Sequence, residues 1–185
     1  MKPASIISAL LLTIAWLGCA SATYPPGDPR YYDMGAPILS DLWVDPVNGN
    51  DNASGATRAQ ALRTVREAWG RIPIGITLAG TGYRIMLAAG TYSPEAAPSF
   101  WEARYGTYAY PIIIQAADGA GTALMPSMNF FDCRYLYLIG LTIEADGGDV
   151  LHFASCDHVL VRQTQVVGSD PETYNVQEAL KINQS

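Results

Sequence analysis

Charge is scarce in this chain. Only 15% of its 185 residues are charged, and acidic residues outnumber basic ones, 17 against 11. That argues against nucleic acid as a partner, because nucleic acid needs a stripe of Lys and Arg. It argues equally against an anionic membrane surface. Also missing are a nucleophile-plus-base pair, a Gly-rich phosphate loop and the Cys/His spacing of a zinc site. Cysteine is limited to Cys19, Cys133 and Cys156. The shortage of charge does not mean disorder. Hydrophobic residues reach 49%, which favours a packed chain. Tyr (11) and Gly (17) are frequent, as suits strands joined by tight turns.

Residues 1–22 read as a secretory signal peptide. Lys2 supplies a positive start, Ile6 to Leu17 an apolar run, and Ala20-Ser21-Ala22 a cleavage site. The run is too short for a lasting membrane span, so no transmembrane segment is expected in the mature chain. Leu17-Gly18-Cys19-Ala20 partly resembles a bacterial lipoprotein box, which leaves a lipid anchor at Cys19 as the rival reading. Either way the expected location is secreted or cell envelope. Loss of Lys2 takes the net charge from -6 to -6 - 1 = -7. Residues 23–41, opening Tyr24-Pro25-Pro26-Gly27-Asp28-Pro29, read as a Pro/Gly/Tyr-rich tether.

The strongest pattern is a repeat. Phe130-Phe131-Asp132-Cys133-Arg134-Tyr135-Leu136-Tyr137-Leu138 returns 23 residues later (156 - 133) as Phe153-Ala154-Ser155-Cys156-Asp157-His158-Val159-Leu160-Val161. Leu141 and Ile143 fall on Thr164 and Val166 at the same shift, and a third copy begins at Leu180. Apolar residues alternate within each copy, which predicts short strands. A strand repeat of this length buries its apolar row only by stacking on the next copy. The fold expected is all-β: a right-handed parallel β-helix, with inward Leu136, Leu138, Leu141, Ile143, Leu151, Phe153, Val159 and Val161. Cys133 and Cys156 stack in successive coils. They form either a disulfide or a ladder of two buried thiols.

Before the repeat, Leu42-Trp43-Val44 begins a strand, and Asp45 to Gly55 is a turn-rich loop with a structural role. Thr64 can cap a short helix from Val65 to about Gly70. Arg84 to Leu87 and Tyr110 to Gln115 read as strands. The run Trp43-Val44-Asp45-Pro46, Asn48-Gly49-Asn50-Asp51, Ser54-Gly55 and Arg63-Thr64-Val65-Arg66-Glu67-Ala68 resembles the N-terminal cap of exported right-handed parallel β-helix proteins of the pectate-lyase-like superfamily. Arg84 to Tyr92 and Tyr110 to Ala116 are similar to that superfamily's first coils, and Leu136 to Ile143 to its repeated rung. The resemblance covers residues 42–185. Ala61-Leu62 departs from it, where many members carry Pro and an aromatic. Ser185 aligns with Cys156 in mid-coil, so residues 42–185 are expected to be the cap and first few coils of a longer β-helix, a C-terminal fragment being missing. A short product capped by dimerisation is the alternative.

Leu151 aligns with Leu180 at a spacing of 29, so the turn before the third copy is longer. It runs from Gly168 to Gln177 and stacks on the turn Glu144 to Asp149, and Asp149 aligns with Glu178. Calcium takes six to eight oxygens, so Asp149 and Glu178 are candidate metal ligands at this acidic corner. Solvated acidic turns are the alternative. Beside them runs an outward row of Asn129, His152 and Lys181. Cleavage of a uronate polysaccharide by calcium-assisted β-elimination would use Lys181 as base, with His152 and Asn129 binding substrate. Lys181 and His152 are equally readable as solvent-facing residues of a sheet. Tyr135, Tyr137 and Trp101 could stack on sugar rings. The expected function is therefore action on a polysaccharide, as a lyase of uronate-containing glycans. The alternative is a non-catalytic glycan-binding or surface-adhesion scaffold, and the fold does not choose between them.

Overall fold

The apolar rows of the repeat stack as the interior of a parallel β-helix. A computed structural model of the chain describes residues 32–145, 147–168 and 178–184. Residues 1–22, where the signal peptide is expected, residues 23–31 of the expected tether, Asp146, residues 169–177 and Ser185 lie outside the described residues. In chain order the strands are β1 Leu39–Val44, β2 Gly82–Leu87, β3 Gly90–Thr91, β4 Trp101–Glu102, β5 Ile112–Ala116, β6 Ala123–Met125 and β7 Met128–Phe131. They continue with β8 Arg134–Ile139, β9 Leu141–Glu144, β10 Leu151–Ala154, β11 Asp157–Arg162, β12 Gln165–Val167 and β13 Leu180–Asn183. They form three sheets ordered β1-β2-β5-β8-β11, β4-β7-β10-β13 and β3-β6-β9-β12. Every pair is parallel. From β2 onward each coil contributes one strand to each sheet, so consecutive strands lie in different sheets; β1, from the cap, pairs directly with β2.

Register follows the sequence repeat. Phe130 pairs with Phe153, Leu136 with Val159 and Ile143 with Val166, each at a shift of 23 (153 - 130). Leu151 pairs with Leu180 at the expected 29. Earlier coils differ, because turns absorb the variation: Ile112 pairs with Leu136, a shift of 24, and Ala123 with Leu141, a shift of 18. Two ladders fill the interior. One is aliphatic, Leu42–Ile85–Ile114–Leu138–Val161. The other is aromatic: Trp101 lies 5.2 Å from Phe130, which stacks on Phe153 at 5.3 Å and 12°. Leu136, Leu138, Leu141, Ile143, Leu151 and Phe153 are all buried. Val159 and Val161 correct the expectation in part. They hold the inward register, but Val161 is 40% exposed, because among the described residues β11 has a neighbour, β8, on one side only.

The cap forms as its sequence predicts. The helix α1 spans Val65–Gly70, and the Thr64 side chain accepts the Glu67 amide. Asp51 fixes the entry, accepting the Arg63 and Thr64 amides at 2.8 Å and the Thr64 hydroxyl at 3.0 Å. Arg71 pairs with Glu67 and donates to the carbonyls of Asp51, Ala53 and Ser54. Asp45 accepts the Val47 and Asn48 amides, and these bonds hold its carboxyl below the usual carboxylate range. Asp45 is thus engaged by amides of its own loop, and Asp51 by groups at the helix entry. A Cβ at Gly49 would run into the carbonyls of Leu62 and Asp45, so glycine is required there. The first strand differs from expectation: it begins at Leu39, three residues before Leu42.

The corners of the coils are turned by left-handed residues, and most are not glycine. Asp132, Ser155 and Gln184 have φ of 51°, 53° and 52°. Tyr135 and His158 repeat the device at 50° and 52°, and Gly140 and Gln163 at 70° and 50°. Each set follows the coil spacing, so the strain is periodic. Cys133 and Cys156 are buried thiols with no disulfide between them. Contact with Cys156, added to burial, pushes the Cys133 thiol up.

Phe153→Asp should lower stability by about 3 kcal/mol or more, because it removes a stacked ring and buries an unpaired carboxylate. Ser155→Gly should raise stability by up to about 1 kcal/mol by relieving left-handed strain. Urea unfolding midpoints read both, and a destabilised Ser155→Gly would show that the corner is not strained.

Candidate functional site

Strand alternation decides which side chains the second sheet shows outward. In β7, Met128 and Phe130 are buried, so Asn129 and Phe131 point out. In β10, Leu151 and Phe153 are buried, so His152 and Ala154 point out. In β4, Trp101 is buried and Glu102 points out. The register sets Asn129, His152 and Lys181 in one row, as the sequence alignment implies. A parallel row carries Glu102, Phe131, Ala154 and Asn183.

Between the rows lies a groove of about 340 Å³. Phe100, Glu102, Asn129, Phe131, His152 and Ala154 line it, and Phe130 closes its floor. Phe100 is 66% exposed and Phe131 51%. Two exposed rings lining one groove form an apolar patch of the kind that marks a binding surface. The Asn183 amide nitrogen lies 3.4 Å from His152 Nε2, which ties the rows together at one end.

The acidic corner adjoins this face. Lys181 Nζ sits 3.1 Å from Glu178 Oε2 and 3.3 Å from Asp149 Oδ2. His152 Nδ1 is 4.0 Å from the same Asp149 oxygen. The Asp149 side chain is only 11% exposed, and its Oδ1 is buried with no hydrogen-bond partner among the described residues. Hydrogen bonds that Lys181 donates, to Glu178 first and then to Asp149, raise its pKa. Lys181 is therefore held as an ammonium, whereas a general base must be a neutral amine.

The two candidate calcium ligands do converge on one cationic position, and Lys181 fills it. Calcium would have to displace that ammonium. The orphaned Asp149 Oδ1 fits an additional cation; the two carboxylates alone fall short of six to eight oxygens. Among the described residues, no group of three or more His, Cys, Asp or Glu side chains is placed to hold a metal ion. Asp146 and the turn residues 169–177 at this corner lie outside the described residues.

The aromatic candidates change. Trp101 and Tyr137 are fully buried. Tyr135 stacks on His158 at 4.1 Å and 13°. Phe100 and Phe131 are the exposed rings that line this groove. Phe131 was legible as the outward neighbour of inward Phe130. Phe100 and Glu102 needed the pairing of Trp101 with Phe130, 29 residues apart, which no repeat announces.

No known family profile matches the chain, and no curated protein does. Among solved structures it is similar to a rhamnogalacturonan lyase, with TM-score 0.46 and 14% identity over 70% of this chain and 37% of that one. The chain thus spans well under half of that enzyme's length. The parallel β-helix stands on this chain's own sheets, and the likeness assigns neither substrate nor catalytic residue. No helix among the described residues is long and apolar enough to cross a membrane.

The Lys181 ammonium should titrate above an ordinary lysine. A raised folded pKa means that the pair's stabilising effect is full at neutral pH and is lost only as pH rises through that value. Reductive methylation with a 13C label gives a lysine signal, assigned by its loss in Lys181→Arg. An alkaline titration should place it above a model dimethyl-lysine, and a midpoint below that reference would restore Lys181 as a ready base.

Proposed function

We propose that this protein acts on polysaccharide, with the glycan lying along the outward face of the β4-β7-β10-β13 sheet. The observation that carries this reading is the pair of exposed rings, Phe100 and Phe131, in one groove with Glu102, Asn129 and His152. A sugar has an apolar C–H face and a rim of hydroxyls. Flat rings take the first, and carboxylate, amide and imidazole groups take the second. The scaffold suits an elongated ligand, because equivalent positions recur along the solenoid about every 4.8 Å. In its coarser form this is a glycan-binding or surface-adhesion β-helix, delivered to the cell envelope or beyond by the signal peptide of residues 1–22.

A second reading, calcium-assisted β-elimination of a uronate-containing glycan, is favoured by the buried, unpartnered Asp149 Oδ1 beside Glu178. In that reading Asp149 and Glu178 hold calcium, which when bound supplies positive charge for the substrate carboxylate. Lys181, released from those carboxylates as a neutral amine, would take the C5 proton while the C4–O glycosidic bond breaks and the departing oxygen takes a proton from water, and His152 and Asn129 would orient the sugar ring.

Migration in native gels containing polysaccharide tests the first reading. At least one polysaccharide should retard the full chain, and Phe131→Ala should weaken retardation about tenfold, the loss of one ring contact of roughly 1.4 kcal/mol. Ultraviolet absorbance of unsaturated products tests the second. Lys181→Ala should abolish product at any calcium level, whereas Asp149→Asn and Glu178→Gln should recover partly with added calcium. Absence of product from the parent chain with calcium across a pectin and alginate panel would leave the binding reading alone.

A further inference from the structure

We infer that the groove takes a polysaccharide built of neutral sugars rather than a polyuronate; the inference rests on the polysaccharide reading above. Charge is the first argument. Glu102 stands in the groove wall, and Asp149 and Glu178 flank its far end. Lys181 is the only Lys or Arg on β4, β7, β10 and β13, and both flanking carboxylates already hold it. Arg104 follows β4, but its guanidinium is buried and donates to the carbonyls of Glu102 and Trp69 over the Trp69 ring. Arg134 lies at the next corner, over the Tyr105 ring and 3.8 Å from Asp157. The face therefore presents net negative charge. Each uronate carboxylate laid along it would meet like charge, with no cation left to receive it.

The rings give the second argument. An aromatic face carries negative charge density, which attracts the weakly positive C–H groups of a sugar and disfavours an anion. The polar groups give the third. The Asn129 amide and the His152 imidazole each carry both donor and acceptor character. A hydroxyl needs both, whereas a carboxylate needs donors only. Arg in a bidentate fork is the favoured partner of a carboxylate, and among the described residues no Arg lines this groove.

Calorimetric titration of the full chain against two panels tests the inference. One holds neutral oligosaccharides (gluco-, xylo-, manno- and arabino-oligomers) and the other galacturonate and mannuronate oligomers, each with and without millimolar calcium. A neutral oligomer should bind at least tenfold tighter than any uronate oligomer, with affinity indifferent to salt. Phe131→Ala should weaken that binding about tenfold. Glu102→Gln should strengthen uronate binding at least threefold at low salt. A uronate oligomer that binds tightest, with or without calcium, would overturn the inference and leave the polysaccharide reading standing. Binding of neither panel would overturn both.

Discussion

Everything in this molecule depends on one constraint: an inward side chain is covered only by its equivalents in the coils above and below. A single coil has no core of its own. The Ile85–Ile114–Leu138 row and the Trp101–Phe130–Phe153 row are therefore held by register rather than by a central nucleus. Parallel pairing keeps like positions in line, so apolar residues meet apolar residues and aromatic rings meet aromatic rings. Trp69, delivered by α1, sets its ring 5.0 Å from Trp101 and ends the aromatic row at the cap. The cap's dense bonding around Asp51 and Arg71 follows from that duty. A loose cap would open the first rung to water.

The same constraint builds the candidate site. Side chains alternate across a strand, so burying Phe130 and Phe153 obliges Asn129, Phe131, His152 and Ala154 to face outward. A slip of one residue would put His152 in the core and Phe153 in the groove. The outward rows are thus a by-product of core stacking, placed with the precision of the register. What they do depends on residue type alone. Phe131 on the sheet face and Phe100 just before β4 leave two rings exposed in one groove, which separates them from the surrounding polar positions.

How much of this was legible in the sequence follows from the same physics. Period-two alternation and the 23-residue echo are properties of the interior, so the fold, the helix cap at Thr64 and the row Asn129–His152–Lys181 could all be read. Coverage could not. Tyr137 lies on the outward parity of β8 and is nonetheless fully buried, because alternation gives direction and not what lies beyond. Phe100 and Glu102 escaped because the coil before the repeat has a different length. The left-handed corners at Asp132, Ser155 and His158 also escaped, since the usual signal for such turns is glycine and these positions have none.

Electrostatics at the corner bears on the readings of function more directly than the fold does. Asp149 and Glu178 come together because they stack at one coil spacing, and a cation between two such carboxylates relieves their repulsion. Lys181 answers both from the outward row of β13, so the chain itself sets one positive charge between the two negative ones. A lysine spent on that balance is a poor proton acceptor and a poor anchor for a uronate. Calcium at the same corner would reverse both properties at once: it would take the carboxylates and release the amine. The elimination reading is thus conditional on one exchange, ammonium for metal, whereas the binding reading requires nothing to move. With Glu102 adding negative charge inside the groove and only two rings and dual-character polar groups to receive a sugar, the arrangement at hand favours neutral glycan over charged.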